Sequence, residues 1–338
     1  MTTPTIERVE VEQHTLPLHS PFATALRVAT AVRTVVVRVT DSDGRVGLGE
    51  APENWPVLGS SVAGSVACLE GPLSQAVLGR PADPYEVWPV VDRAVRGNTA
   101  AKAALDSALH LLGGRPTGTL PTVVTLSAGD PDQVAEDARA RAAEGFGTLK
   151  LKVGTDARTD VRRVQAARDG GGPTVALRVD ANTGWDAHAA VDVVRALEDA
   201  GLGVELVEQP VPPRDLLGMA FVRARVETPV MADESVFDLH DLVEVLRHEA
   251  ADLVNIKLAK SGGITPALAL ARAARHHGLG VSVGCMLEGP VGVAAGFALA
   301  TRTGSDVAPD LDGAWWLAPG APYADWVAYA DGHVRMGP

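Results

Sequence analysis

The stretch TVALRVDANTGWDAHAAVDVVRALEDAGLGVELVEQP (174–210) decides the fold of this chain. A β-branched run ends at Asp180, an Ala-rich segment with apolar residues at helical spacing follows, and a second β-branched run ends at Glu208. The two acids are 28 positions apart (180 to 208), and Asp233, which ends PVMAD (229–233), comes 25 positions later (208 to 233). One strand plus one helix has about this length, so each acid ends the strand of a new βα unit.

The same unit, a short β-branched run followed by an Ala-rich amphipathic segment, recurs from about residue 120 onward. Eight such units over about 190 residues predict a (β/α)₈ barrel of the TIM type at 119–319, with its active site at the carboxyl ends of the strands. The predicted strands are 122–127, 148–153, 174–180, 204–208, 229–233, 253–257, 280–284 and 306–310.

The residues before the barrel follow a different pattern. Alternating stretches that predict an antiparallel sheet are followed by segments of helical character, at 5–18, 33–51, 61–79 and 99–114. We therefore predict an α+β domain at 1–118, and the strand-like end of the chain at 320–338 is expected to return to it. The G-x-G fragment in GRVGLGEA is not followed by a helix at the right offset, which argues against a dinucleotide site.

The composition narrows the class of partner. The 338 residues carry a net charge of −12 with an isoelectric point near 5.2, and they lack the clusters of Lys and Arg that nucleic acids or anionic membranes require. Cys68 and Cys285 are far apart and the chain starts without the pattern of a secretory leader, so we expect a cytoplasmic protein with free thiols. The expected partner is a small-molecule substrate, with no nucleic acid and no membrane.

Charged side chains are predicted to point into the barrel. In TLKLKV (148–153) the apolar residues share one face, which must meet the surrounding helices, so Lys150 and Lys152 face inward. The same alternation in the sixth predicted strand turns Lys257 inward. Burying a charge is costly unless it pairs or binds a metal. These charges form either a salt-bridge network without a reaction or an active site.

Asp180, Glu208 and Asp233 are candidate metal ligands, because single carboxylates at neighbouring strand ends converge. Hard oxygen ligands of this kind suit Mg²⁺ and leave open positions for substrate and water. Zinc is disfavoured, because Cys285 is the only Cys or His near a matching strand end and is interpreted as a small apolar filler. The predicted cofactor is therefore Mg²⁺.

Lys152 and Lys257 come from the second and sixth predicted strands, on opposite sides of an eight-stranded ring. Two amines that face each other across a metal-bound carboxylate suit a 1,1-proton transfer, in which one removes an α-proton and the other returns it to the opposite face. The like charge of Lys150 is expected to lower the pKa of Lys152, so that Lys152 acts as a base. Since the resulting enediolate needs a nearby positive charge, the pattern predicts a metal-dependent racemase or epimerase.

Six short motifs lie at these strand ends and in the N-terminal domain: KLK (150–152), DAN (180–182), EQP (208–210), ADES (232–235), NIKLAKSGG (255–263) and GLGEAP (47–52). Together they resemble the muconate lactonizing enzyme subgroup of the enolase superfamily, whose members use a Lys base with Mg²⁺. The resemblance covers nearly the whole chain. It implies that the N-terminal domain caps the barrel mouth and that the protein is a homo-oligomer. It also implies supporting roles for Asn182 and Glu234, and a place in the site lining for Glu288.

Two further features resemble dipeptide epimerases within that subgroup. Asp310 and Asp312 in PDLD (309–312) are similar to the D-x-D pair that holds the substrate's α-ammonium group, with an exposed Asp-rich turn as the alternative. Arg27 lies where an arginine meets the Glu side chain in epimerases that act on L-Ala-D/L-Glu, with a solvated loop arginine as the alternative. The resemblance thus implies a Mg²⁺-dependent dipeptide epimerase.

Several other functions remain open for this scaffold. They are N-acylamino acid racemisation, muconate cycloisomerisation, o-succinylbenzoate synthesis and ligand binding by a barrel without catalysis.

Overall fold

The computed structural model describes residues 3–337, and its N-terminal domain begins with an antiparallel sheet. Its strands are β1 (Ile6–Ala23), β2 (Val28–Asp41) and β3 (Val46–Pro52), paired in that order as the alternation predicts. In the turn between β2 and β3, the amide of Gly44 donates to the carbonyl of Asp41 at 2.9 Å. Gly44 has a φ of 75°, a conformation that favours glycine.

Five helices and one π-helical turn complete this domain: α1 (Trp55–Leu58), α2 (Val62–Cys68), the turn Leu69–Leu73, α3 (Ser74–Val77), α4 (Pro84–Ala94) and α5 (Thr99–His110). Helix α5 is buried from Ala100 to Leu109, because it lies between the sheet and the barrel. It approaches β3 closely, since a Cβ on Gly49 would overlap the carbonyl group of Ala104. This helix is therefore one of the elements through which the N-terminal domain meets the barrel.

The chain passes through β4 (Gly118–Pro121) into a curled, seven-stranded parallel sheet whose strands pair in chain order. Its strands are β5 (Val124–Leu126), β6 (Thr148–Lys152), β7 (Ala176–Asp180), β8 (Val204–Glu208), β9 (Val230–Ala232), β10 (Leu253–Lys257) and β11 (Gly280–Gly284). The helices are α6 (Pro131–Ala143), α7 (Ala157–Gly171), α8 (Ala187–Asp199), α9 (Leu216–Arg223), α10 (Leu239–Arg247), α11 (Leu258–Ser261), α12 (Ile264–His276) and α13 (Pro290–Thr303).

The eighth predicted strand, at 306–310, departs from the prediction. It makes one ladder pair with β11, Gly284 with Asp310 in parallel register, and one further backbone hydrogen bond of 2.8 Å from the amide of Asp306 to the carbonyl of Val281. On its other side, the carbonyl oxygen of Pro309 accepts a backbone hydrogen bond of 3.1 Å from the residue before β5. Pro309 has no amide hydrogen for a ladder, and the preceding carbonyl accepts from Arg178 at 2.6 Å. The segment closes the ring through a few bonds rather than as a regular strand.

The alternation along the strands separates apolar from charged side chains as predicted. Leu149 and Leu151 of β6 belong to the large apolar cluster of the barrel, whereas Lys150 and Lys152 are buried among charged groups. A sheet that curls around polar side chains keeps its apolar face for the helices. Among residues 3–337, no helix is both long and apolar enough to cross a membrane.

The last residues contact both parts of the molecule. Strands β12 (Val327–Ala330) and β13 (His333–Met336) form a three-stranded sheet with β4. Just before them, the Tyr323 hydroxyl donates to Glu12 of β1 at 3.0 Å. The assignment of 320–338 to the N-terminal domain therefore stays a prediction, as do the domain boundaries.

Candidate active site

One cavity lies at the carboxyl ends of the barrel strands, beneath segments of the N-terminal domain. The end of β1 and the turn after it contribute Phe22 and Arg27, and the residues around α1 contribute Asn54 and Val57. The barrel contributes Lys152, Asn182, Asp233, Glu234, Lys257, Cys285, Asp310 and Asp312. The two domains therefore build the cavity together.

Lys150 lies at the centre of the buried charges. Its Nζ is 2.7 Å from Asp310 Oδ2, 2.7 Å from Glu208 Oε2 and 3.0 Å from Asp180 Oδ2. Burial alone lowers the pKa of Lys150, but these three carboxylates outweigh burial, so the pKa is raised well above its ordinary value. Lys150 therefore remains a cation that holds three carboxylates together.

Lys152 and Lys257 reach the same cavity from β6 and β10, with three strands of the sheet between them. The Nζ of Lys152 is 2.7 Å from Asp180 Oδ2, and the Nζ of Lys257 is 2.7 Å from Asp233 Oδ2. Both lysines are buried. The structure thus brings the two predicted bases to one cavity and gives each a carboxylate partner.

The carboxylates also control the charge of Lys257. Burial alone lowers its pKa, but the charge of Asp233 outweighs burial and raises the pKa. A lysine in this state keeps its proton and can donate it as an acid, and it becomes a base once that proton has left. Neutralising Asp233 would remove the interaction that holds the proton. The predicted lowering of the Lys152 pKa by Lys150 stays a prediction.

Asp180, Glu208 and Asp233 fit a hard divalent cation by their chemistry. All three are buried at neighbouring strand ends, and Glu208 Oε2 and Asp233 Oδ1 each pair with a lysine amine, at 2.7 Å and 2.6 Å. Carboxylate oxygens of this kind are the ligands that Mg²⁺ takes in proteins. As placed, no three acidic, His or Cys side chains within residues 3–337 are grouped closely enough to hold an ion. Lysine amines lie between the carboxylates and balance their charge.

Asp310 and Asp312 lie side by side at the end of the ring-closing segment, and both line the cavity. Asp310 accepts from Lys150, and Asp312 Oδ2 accepts from the amide of Thr125 at 2.6 Å. Burial and the neighbouring Asp310 raise the pKa of Asp312 to about 6. Both carboxylates are buried, so the alternative of an exposed Asp-rich turn is wrong.

Arg27 lies in a tight turn between β1 and β2. The backbone of Thr24 donates to the carbonyl of Arg27 at 2.9 Å, which closes the turn. Arg27 lines the cavity and is half-buried, its guanidinium makes no hydrogen bond to any residue from 3 to 337, and burial lowers its pKa. A half-buried, unpaired guanidinium at a cavity mouth is available to a carboxylate of a ligand.

Comparison with known proteins fixes the family. Residues 6–123 match the N-terminal domain of mandelate racemase and muconate lactonizing enzyme, and residues 133–338 match the enolase C-terminal domain-like family. The chain belongs to the enolase superfamily. This confirms both the resemblance and the predicted fold class, a barrel of the (β/α)₈ type with an N-terminal α+β domain.

Three relatives of this enolase-superfamily member are informative. The chain is 41% identical to the L-Ala-D/L-Glu epimerase of Bacillus subtilis, over 88% of this chain and 86% of that protein. It is 34% identical to the N-succinyl-L-Arg/Lys racemase of Bacillus cereus, over 84% and 81%. The structure of the Enterococcus faecalis dipeptide epimerase complexed with Mg and L-Leu-L-Tyr has a TM-score of 0.89 at 33% identity, covering 98% of this chain and 97% of that one.

The three residues with predicted supporting roles differ in position. Asn182 and Glu234 both line the cavity, and Asn182 Nδ2 donates to Glu234 Oε1 at 3.1 Å. Burial, together with Asp233, raises the pKa of Glu234 to about 8. Glu288 is buried but is not among the residues that line the cavity, and it lies near Glu50 of the N-terminal domain. The local sequence does not show which of these side chains point into the cavity and which point towards the N-terminal domain.

Two residues that support the enolase-superfamily site were missed in the sequence. Lys260 is fully buried on α11, with its Nζ 2.6 Å from Asp233 Oδ1 and hydrogen bonds to two backbone carbonyls at 3.0 Å. Gln209 accepts from the amide of Asp233 at 2.9 Å and that of Ser235 at 3.1 Å. Both lie inside motifs, NIKLAKSGG and EQP, and a lysine in an otherwise buried segment is a signal for such a role.

Proposed function

We propose that this protein is a Mg²⁺-dependent dipeptide epimerase, an isomerase that inverts the α-carbon of the C-terminal residue of a dipeptide. The observation that carries the proposal is the arrival of Lys152 and Lys257 at one cavity from opposite parts of the sheet. Each of the two amines lies 2.7 Å from a strand-end carboxylate, and Glu208 on the strand between them pairs with Lys150. A binding site alone does not need two opposed bases. The relatives that act on dipeptides support the same assignment.

The residues divide the chemistry among them. Asp180, Glu208 and Asp233 would hold Mg²⁺, whose charge stabilises the negative charge that develops on the substrate's carboxylate when the α-proton leaves. Lys152 takes or returns the proton on one face of the α-carbon, and Lys257 does so on the other. Lys150 keeps its positive charge beside Asp180 and Glu208 and fixes their positions.

Asp310 and Asp312 are assigned to the α-ammonium group of the dipeptide. Replacing Asp312 with Asn is expected to reduce kcat/KM for dipeptides about 10-fold to 100-fold, because a charge-assisted hydrogen bond contributes about 1.5–3 kcal/mol. Initial rates measured with dipeptides and with N-succinyl amino acids would check this. Activity on the N-succinyl substrates should not fall, since they lack the ammonium group.

The N-succinyl-L-Arg/Lys racemase relative makes N-acylamino acid racemisation the second candidate. It is favoured over dipeptide epimerisation if the Asp312→Asn variant and the wild type act equally well on N-acyl substrates and neither acts on a dipeptide. As a control, Asp325→Asn changes an exposed carboxylate outside the cavity and should leave both activities unchanged.

Arg27 is assigned to a carboxylate in the side chain of the epimerised residue, which makes L-Ala-D/L-Glu the expected substrate. Arg27→Ala should reduce kcat/KM for L-Ala-L-Glu by about 10-fold to 100-fold and leave L-Ala-L-Ala nearly unchanged, because only the former loses an ion pair. Steady-state rates with the two dipeptides would measure the ratio. The control Arg8→Ala removes an exposed arginine of β1. An equal loss for both dipeptides would contradict the assignment.

We also propose that the protein acts in the cytoplasm as a homo-oligomer on a small molecule, without nucleic acid or membrane. The net charge of −12 supports the exclusion of polyanions. Cys285 is buried and Cys68 half-buried, and both are free thiols, which suits a reducing compartment. Light scattering on the purified protein would measure its oligomeric state.

A further inference from the structure

Seven helices of the barrel, α6 to α10, α12 and α13, begin in two different ways. Helices α6 to α10 each start after an aspartate of their own chain segment, whose carboxylate accepts hydrogen bonds from the free amides of the first turn. Before α12 and α13 the same positions are occupied by Gly263 and Gly289, which have no side chain to offer. The five aspartates are Asp130, Asp156, Asp186, Asp215 and Asp238.

The first turn of α12 is bonded instead by Asp106 of the N-terminal domain. Asp106 lies on α5, is 1% exposed, and accepts from the amide of Thr265 at 2.8 Å and from the Thr265 hydroxyl at 2.7 Å. His110, one turn further along α5, lies 2.9 Å from the same hydroxyl. Arg302 of α13 donates to the other ring nitrogen of His110 at 2.8 Å. The contact between the domains is therefore a connected network.

The first turn of α13 is bonded in the same manner by Glu50 of β3. Its Oε1 accepts from the amide of Gly289 at 2.7 Å, and its Oε2 accepts from the amide of Gly292 at 2.8 Å. Glu50 is buried and lies 239 residues before Gly289 in the chain. Two successive barrel helices thus receive their caps from two different elements of the other domain.

A side chain at either glycine position would collide with the carboxylate that caps the helix there. A Cβ on Gly263 would lie 2.5 Å from Asp106 Oδ2, and a Cβ on Gly289 would lie 2.8 Å from Glu50 Oε1. These separations are far below van der Waals contact. The carboxylate from the N-terminal domain therefore occupies the space in which a local capping side chain would lie.

Both caps adjoin chain segments that line the cavity. Helix α11 follows Lys257 directly, packs against α5, and leads after two glycines into α12. Helix α13 follows the segment Cys285–Leu287, which lines the cavity. A shift of either helix start would therefore move a part of the site.

We infer that Asp106 caps α12 and Glu50 caps α13 across the domain interface, and that both are positioning residues. When the N-terminal domain docks, these caps hold the two helix starts in place, and with them Lys257 and the segment after β11. The capping itself does not depend on the reaction. Its consequence for catalysis rests on the proposed function.

Hydrogen exchange, followed residue by residue on the full-length protein with Mg²⁺ added, tests the capping. Asp106→Ala should speed exchange about 5-fold to 30-fold in the first turn of α12 and also in α5, and Glu50→Ala should do the same for α13 and β3. The matched control Asp186→Ala removes a local cap and should affect the first turn of α8 alone. Unchanged exchange in α12 and α13, or effects confined to one domain, would overturn the inference.

Variants that keep a hydrogen-bond acceptor distinguish the loss of a cap from general unfolding of the protein. Asparagine at position 106 keeps an acceptor oxygen for the Thr265 amide, and its NH2 group can donate to the Thr265 hydroxyl, whereas glutamine at position 50 keeps an acceptor for only one of the Gly289 and Gly292 amides. Asp106→Asn should therefore keep most of the protection that Asp106→Ala loses, and Glu50→Gln should keep a part of the protection that Glu50→Ala loses. If the amide variants lost as much as alanine, hydrogen bonding to the helix would not be the cause.

A relocated cap separates helix stability from domain docking. In Glu50→Ala the two carboxylate oxygens beside Gly289 are removed and only the end of the Leu16 side chain, 3.0 Å from a Cβ at this position, has to shift; the φ of −82° at Gly289 suits a serine cap. The double variant Glu50→Ala/Gly289→Ser should restore slow exchange in the first turn of α13 but not in β3. Slow exchange restored in both α13 and β3 would show that domain docking does not depend on Glu50. Slow exchange restored in neither segment would show that the start of α13 does not depend on a cap.

Kinetics test the positioning role. Asp106→Ala should lower kcat about 10-fold with little change in KM, because Lys257 would be displaced while the substrate contacts remain, and Asp106→Asn should recover most of the loss. An equal loss of kcat in Asp106→Ala and Asp106→Asn, or a change in KM alone, would contradict the positioning role. If the wild type epimerised no dipeptide, the proposed function would fail, whereas the exchange data would still decide the capping.

Discussion

Replacing Lys152 or Lys257 with alanine is expected to abolish epimerisation, with a loss of at least about 10³-fold, because a positioned general acid or base contributes about 10²-fold to 10⁴-fold and each lysine serves one face. Each single variant still contains the other lysine. Lys152→Ala should therefore continue to exchange the α-proton of one epimer with solvent but not that of the other, and Lys257→Ala should show the opposite preference.

The measurement is ¹H NMR of L-L and L-D dipeptides in D₂O with each variant and Mg²⁺. Lys102→Ala is a chemically matched control, because Lys102 is also buried but pairs with Asp92 outside the cavity. Near-wild-type epimerisation by either alanine variant would exclude the two-base reaction. A wild type that binds a dipeptide without any exchange, and alanine variants that bind it equally well, would establish the non-catalytic barrel.

Replacing Glu208 with Gln is the second change with a large expected effect. The variant should lose at least about 10³-fold in kcat and bind Mg²⁺ about 10-fold to 100-fold more weakly, because it removes one of three anionic ligands and leaves the Lys150 charge less balanced. Chelation of the wild type with EDTA should abolish activity, and added Mg²⁺ should restore it.

Isothermal titration calorimetry with Mg²⁺ measures the affinity independently of activity. Asp186→Asn is the control, since it alters the exposed N-terminal cap of α8 outside the cavity, and this variant should bind Mg²⁺ like the wild type. Unchanged Mg²⁺ affinity in Glu208→Gln would show that Glu208 is not a ligand, whatever its effect on catalysis.

The inward orientation of the charged residues was predictable because it is a local property of strands. Successive side chains point to opposite faces, so the apolar residues of TLKLKV fix the direction of Lys150 and Lys152 without any long-range information. The spacing of Asp180, Glu208 and Asp233 likewise reports the length of one βα unit. The fold class followed from these patterns, whereas the family followed from the resemblance of the motifs at the strand ends.

The ring-closing segment shows where such local reasoning fails. The run at 306–310 has the composition of a strand, yet it contributes one ladder pair, because Pro309 offers no amide and Arg178 takes the preceding carbonyl. Similarly, the sequence suggested repulsion between the charges of Lys150 and Lys152, whereas the pKa of Lys150 is raised by carboxylates from four other segments. Each of these partners is remote in the sequence.

The sequence by itself determined the repeating βα unit, the side of each strand on which a charge lies, and the set of acids and lysines that share the strand ends. The tertiary structure alone decided which carboxylate each lysine meets, that Glu288 lies near Glu50 rather than in the cavity lining, and that two barrel helices are capped by Asp106 and Glu50. The physical reason is distance along the chain. Side-chain alternation and helical spacing act over a few residues, whereas hydrogen bonds and charges act between atoms that only the folded chain brings together.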